Sequence, residues 1–170
     1  KDYPEWSDRG DGPGAPVAIH LPNSPIIATG KRDGSKIRLP NGNYLEETAS
    51  YYVMIETKTG GYTPALITMK STQLNVSKKW NSMMKTIQIP DGKGGFIIPP
   101  MHGVVYNLSS TLQKNDKGSW YGWVVTQDRI LGQEDKSLYL SAKDFSGNVS
   151  KGNVQTKADV EEVAKDSTPY

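Results

Sequence analysis

The spacing of hydrophobic positions changes several times along this 170-residue chain, and each change predicts a different element. From Tyr44 to Glu56 the pattern alternates as a strand does, with Tyr52, Met54 and Glu56 on one side and Tyr51, Val53 and Ile55 on the other. Gly60-Gly61 turns the chain, and Tyr62–Met69 returns through Ala65-Leu66-Ile67-Thr68-Met69, which predicts a hairpin. At Ser71 the period becomes helical. Val76, Trp80, Met83, Met84 and Ile87 fall on one helix face, which assigns Trp80 to the core and projects Lys78 and Lys79 from the other side. Ser71 or Thr72 can cap this helix, and Pro90-Asp91-Gly92 ends the segment. Phe96-Ile97-Ile98 opens a second β region. Gly103–Leu112 alternates Val104, Tyr106 and Leu108 with Val105, Asn107 and Ser109. After the turn at Asn115-Asp116-Lys117-Gly118, Ser119–Thr126 sets Trp120, Gly122 and Val124 against Tyr121, Trp123 and Val125, giving a second hairpin.

The ends are less regular. Residues 1–16 hold Pro4, Gly10, Gly12, Pro13, Gly14 and Pro16, so they read as an extended arm without regular structure, with Trp6 docked on the body or on a partner. Pro22-Asn23-Ser24-Pro25 breaks the chain and Ile26-Ile27-Ala28 reads as a short strand. Arg32-Asp33-Gly34-Ser35 carries an Asp-Gly hairpin signal. Ile37 and Leu39 then alternate with Lys36 and Arg38, and Asn41-Gly42 is a further turn. Near the C-terminus, Asp135 caps a helix through Leu138, Ala142 and Phe145 that Gly147-Asn148 closes. Thr156–Lys165, with Thr156 and Asp159 at capping spacing, is a marginal helix or a frayed tail. No repeat of fixed period is visible. The fold class is mainly β: a five- or six-stranded antiparallel barrel with one helix inserted between the hairpins and short C-terminal helices. The expected organisation is an N-terminal arm (1–16), a single domain (17–150) and a tail (151–170).

Composition narrows the function classes. With 35% hydrophobic and 22% charged residues the chain can bury a core, and its net charge of only +2 makes no demand for a polyanionic partner. Any electrostatic argument must rest on where the charges sit. The absence of cysteine removes disulfides, thiolate catalysis and cysteine-bound zinc, and suggests a reducing compartment. No apolar run approaches the roughly 20 residues that span a bilayer, so no membrane is expected. The opening Lys1-Asp2-Tyr3-Pro4-Glu5-Trp6 does not form a signal peptide, and a start at Lys1 rather than Met suggests a beginning inside a longer protein.

Catalytic patterns are hard to find. His20 and His102 lack metal-ligand neighbours, Glu46-Glu47 and Glu161-Glu162 are adjacent and so diverge on a strand, and Asp91-Gly92-Lys93-Gly94-Gly95 lacks the Walker arrangement. The expectation is a non-enzyme with no cofactor and no metal. The charge and aromatic patterns say more. From Lys58 to Lys93 the cations are Lys58, Lys70, Lys78, Lys79, Lys85 and Lys93, and the only carboxylate is Asp91. That is either an ordinary solvated face or a stripe that tracks a phosphate backbone. Ser119-Trp120-Tyr121-Gly122-Trp123 concentrates three large rings in one strand, either sheltered by a helix or offered as a stacking platform at about 1–3 kcal/mol per base.

Two stretches carry a resemblance. Pro64-Ala65-Leu66-Ile67-Thr68-Met69-Lys70-Ser71-Thr72-Gln73-Leu74 runs into Val76-Ser77-Lys78-Lys79-Trp80-Asn81-Ser82-Met83-Met84, and Trp120-Tyr121-Gly122-Trp123 follows later. Together with Ile37-Arg38-Leu39-Pro40-Asn41-Gly42-Asn43 and Tyr51-Tyr52-Val53, they resemble a tailed-phage single-stranded DNA-binding protein family over roughly residues 15–130. The resemblance implies an OB-like barrel. It also implies sequence-tolerant binding of single-stranded DNA (or RNA) in replication or recombination, in the cytoplasm of an infected bacterial host. Phage or host replication proteins and further copies of the chain are the implied partners. The residues expected at the nucleic acid are Arg38, Lys70, Lys78, Lys79, Lys85 and Lys93 for phosphates, and Tyr106, Trp120, Tyr121 and Trp123 for bases. Proteins of this kind often end in an acidic tail, of which Asp159, Glu161, Glu162 and Asp166 are the only trace. A virion or scaffold component is the alternative, and a small phage enzyme built from dispersed carboxylates is a second one.

Overall fold

The computed structural model describes residues 1–8, 14–116 and 118–154, so the expected Thr156–Lys165 segment lies outside the described residues. The molecule is mainly β. Five short strands, β1 (Tyr3–Trp6), β2 (Pro16–His20), β3 (Lys31–Asp33), β4 (Lys36–Arg38) and β5 (Tyr44–Glu46), form one antiparallel sheet in the order β2-β1-β5-β4-β3. Ile37, Leu39 and Leu45 are its buried apolar centre, with Tyr3, Ile26 and Ile27 packed against them. Both expected turns form here. Gly34 takes φ 60° between β3 and β4, and Gly42 takes φ 88° between β4 and β5, conformations that glycine adopts without penalty.

Two expectations for this region fail. Residues 1–16 were expected to lack regular structure, yet β1 is a central strand, bonded to β2 on one side and β5 on the other. Proline belongs at sheet edges because it cannot donate to a ladder. Here Asp2 lies opposite Thr48 and Glu5 opposite Leu45, so Pro4 falls opposite Glu46, within the two-residue stretch Tyr3-Pro4 where the pairing on this side of β1 is interrupted. Ile26-Ile27-Ala28 is not a strand but part of a one-turn helix, α1 (Ile26–Thr29). Pro25, at φ −57° and ψ −28°, presets the first turn, and Thr29 Oγ1 donates to the Ile26 carbonyl at 2.7 Å.

Beyond the sheet, β6 (Thr48–Glu56) pairs with β7 (Tyr62–Lys70) across Gly60, as the alternation predicts. A 3-10 turn, Ser71–Gln73, leads into α2 (Leu74–Thr86), with the Leu74 amide donating to the Ser71 and Thr72 carbonyls. The helix phase is as expected: Trp80 and, just past the helix, Ile87 are buried, and Lys78, Lys79 and Lys85 are exposed. β8 (Ile89–Pro90) and β9 (Phe96–Ile97) flank a loop that Asp91 organises, its Oδ1 accepting from the Lys93 and Gly95 amides at 2.7 and 2.9 Å. Those two donors hold the Asp91 carboxyl below its ordinary pKa. β10 (Val104–Asn115) and β11 (Gly118–Ile130) pair as the second expected hairpin. A 3-10 turn, Gln133–Asp135, then opens α3 (Lys136–Ser150). This helix runs past Gly147-Asn148, where it was expected to close.

The chain divides into two compact units. The first comprises Lys1–Tyr51, Ile67–Lys85 and Leu108–Thr126; the second comprises Tyr52–Leu66, Thr86–Asn107 and Gln127–Tyr170. Among the described residues no helix is long and apolar enough to cross a membrane.

Candidate nucleic-acid interface

The first unit brings the two diagnostic stretches together. Gln73, in the turn before α2, accepts a hydrogen bond from the Trp123 amide through Oε1 at 3.0 Å. The start of the lysine-bearing helix is therefore tied to the aromatic strand. Gly122 makes room for that link. It is buried, and a Cβ there would lie 2.5 Å from Gln113 Nε2 and 2.9 Å from Gln73 Nε2. Ser71, at the junction, takes φ 51°, the only positive φ at a non-glycine position among the described residues. Such a backbone persists where its surroundings over-determine it, and here the adjoining turn is held at both ends, by β7 and by β11.

Alternation along β11 then decides which rings reach solvent. Trp120 lies on the Gly122 face and is half-buried; its indole Nε1 is buried without a hydrogen-bond partner among the described residues. Tyr121 and Trp123 share the opposite face, 73% and 37% exposed. They stand about 7 Å apart along the strand, at about 3.4 Å per residue. Exposed aromatics on one strand face, with no charge between them, form a surface on which flat apolar groups can stack.

The helix is fixed from inside. Trp80 stacks on Tyr51 with ring centroids 4.4 Å apart and an interplanar angle of 28°. The Tyr51 hydroxyl donates to the Ser77 carbonyl at 3.2 Å and lies 2.7 Å from Ser77 Oγ. Ser77 and Trp80 thus define the buried face, which leaves Lys78 and Lys79 to solvent. Lys78 is about 8 Å beyond Gln73 along the helix axis, at about 1.5 Å per residue. Among the described residues Lys78, Lys79 and Lys85 make no ion pair.

The remaining expected residues are placed differently. Lys70 is exposed and pairs with Glu46 at 3.1 Å. Arg38 is held between Asp8 and Asp33, the latter at 3.5 Å, and the bond to Asp8 chiefly pushes its pKa up. Both cations therefore have carboxylates beside them. Lys93 and Tyr106 belong to the second unit, so the first unit does not bring them to the β11 rings. Tyr106 is half-buried, and burial pushes its phenol pKa up.

Three features escaped the pattern reading. Gln73 and Gly122 are structural partners inside the quoted stretches. Trp6 and Tyr44 are direct cross-strand neighbours on β1 and β5, with Lys36 Nζ 3.8 Å from the Tyr44 ring centre. Glu5, buried in the supposed arm, accepts from Asn43 at 2.6 Å and lies 2.7 Å from His20 Nε2. The Asn43 bond first, and then His20, holds the Glu5 carboxyl below its ordinary pKa. Among the described residues no group of three or more His, Asp and Glu side chains is placed to hold a metal ion.

No curated protein and no solved structure matches the chain. A family model does, over residues 1–155, a span that includes the sheet, the lysine helix and the aromatic strand: the chain belongs to the Pam3 phage gp34-like protein family.

Proposed function

We propose that this phage protein binds single-stranded nucleic acid, with Tyr121 and Trp123 stacking on bases and the α2 lysines meeting the phosphates. The observation that carries the reading is the Gln73–Trp123 bond, which fixes an exposed pair of rings beside the start of a helix whose exposed lysines make no ion pair among the described residues. Stacking tolerates any base, so the binding is sequence-tolerant, and single strands are preferred because a duplex hides its base faces. DNA is the proposed target over RNA, in replication or recombination within the infected host cell, alongside phage or host replication proteins. The chain acts by binding and not by turnover. An OB-like barrel is the fold the resemblance implies for this role; the reading rests on the β11 rings and does not need barrel closure.

Tryptophan fluorescence titrated with a short thymidine oligonucleotide tests this. Wild type is expected to be quenched at low salt, with affinity falling steeply as salt rises because each neutralised phosphate releases counterion. Tyr121→Ala with Trp123→Ala, followed by the same titration on an end-labelled oligonucleotide, is expected to lose at least about tenfold in affinity, since each stacked base contributes about 1–3 kcal/mol. Absence of wild-type binding at low salt overturns the proposal. Wild-type affinity in the double variant removes the rings from it.

A further inference from the structure

The two edges of the five-stranded sheet are treated differently. β3, at one edge, carries Lys31, Arg32 and Asp33, and charges of this kind discourage pairing with another strand. β2, at the other edge, carries no charged group from Pro16 to Ile19. Val17, Ile19 and Leu21 expose 54%, 69% and 63% of their surface there. Its one titratable residue, His20, is already engaged by Glu5.

Backbone direction shows what this edge offers. Asp2 exchanges both of its backbone hydrogen bonds with Thr48, at 2.9 Å each, so Asp2 points away from β2. Alternation then turns Tyr3 and Glu5 toward β2, where they face His20 and Ala18. Ile19 lies between those two residues, so its N–H and C=O point outward, away from the sheet. A register shift beside Val17 and the prolines at 16 and 22 keep the open edge short.

We infer that β2 is a pairing edge for a second copy of this chain, joined antiparallel about a two-fold axis through Ile19. In that register Ile19 meets its own mate and the two residues exchange both main-chain bonds. The exposed Val17 and Leu21 of each copy lie on either side of this centre. Ala18 falls beside His20 of the other copy, so no like charges meet, whereas self-pairing of β3 would bring its own charges together. The two-fold closes the assembly at two copies, because pairing consumes the only apolar edge of the sheet. So short a seam falls at the small end of protein interfaces, and the dimer is a weak, concentration-dependent one. The inference is independent of nucleic-acid binding.

The cysteine-free sequence makes a direct test available. A hydrogen-bonded antiparallel pair sets Cα atoms about 5.5 Å apart, inside the range a disulfide spans. In Ile19→Cys the introduced thiol therefore faces its own copy. In Val17→Cys the two thiols are more than about 10 Å apart, at about 3.4 Å per residue along each strand. Under mild oxidation Ile19→Cys is expected to give a covalent dimer at least about five times faster than Val17→Cys. Sedimentation of unmodified protein is expected to show a monomer–dimer equilibrium that Ile19→Lys abolishes with the thermal melt retained. Equal cross-linking of the two cysteine variants, or a wild-type chain that stays monomeric at high concentration, overturns the inference. Should Ile19→Lys fail to fold, the cysteine comparison decides alone.

Discussion

Trp80 is the residue whose role follows most directly from its neighbours. Its ring is buried, stacked on Tyr51, one turn from the Ser77–Tyr51 hydrogen bonds. Trp80→Ala is expected to destabilise the protein by about 3–5 kcal/mol, as truncations of large core side chains do. A thermal melt checks this, and an unchanged melting temperature with lost oligonucleotide binding would make Trp80 a stacking residue instead. The sequence makes this residue legible because a helical period of apolar positions reports burial on its own. Gln73 could not be read in the same way. Its amide serves a backbone N–H 50 residues away, and a polar side chain used once, at long range, leaves no period. Glu5 is a further case. Nothing near it in sequence signals that Asn43 and His20 converge on its carboxylate.

At the scale of elements, α2 is the one that separates a basic stripe from a solvated face. Lys78→Ala with Lys79→Ala should leave stability within about 0.5 kcal/mol, since both side chains are exposed and make no ion pair among the described residues. The double variant should bind all single-stranded sequences more weakly. The slope of log affinity against log salt should fall by roughly 1 per lost phosphate contact. A salt-titrated binding isotherm reads both, and wild-type behaviour would reduce the lysines to ordinary surface residues. Both hairpins and α2 were legible because long alternating or helical runs outweigh local noise. β1, α1 and the end of α3 were not, and each failed at a proline or a glycine. Pro4 is tolerated in a central strand because the ladder skips it, and Pro25 starts a helix instead of breaking the chain. Gly147 costs a helix interior about 1 kcal/mol relative to Ala, too little to stop it. α3 stops instead at Ser150, two residues before Gly152, which takes φ 72° and donates to the Val149 carbonyl at 3.0 Å.

Taken as a whole, the molecule has a net charge of only +2, so its global field gives little long-range steering, and the proposed binding rests on local placement of cations. Incubated with labelled single strands and magnesium or manganese, the protein is expected to leave them intact. Cleavage that survives purification and disappears when one carboxylate is replaced would make it an enzyme. The resemblance carried phage membership, which the family match establishes, further than it carried any detail of the fold, because short motifs mark descent more sharply than they mark strand order. The strand order has a consequence in time. β1 is made first but needs β5, about 40 residues later, which at about 5–20 residues per second is a delay of about 2–8 s. Until then β1 and β2 have only each other, and an isolated two-stranded hairpin is marginal in water. The sheet therefore cannot assemble in the order of its synthesis: it closes backwards, when Tyr44–Glu46 arrives beside the oldest strand.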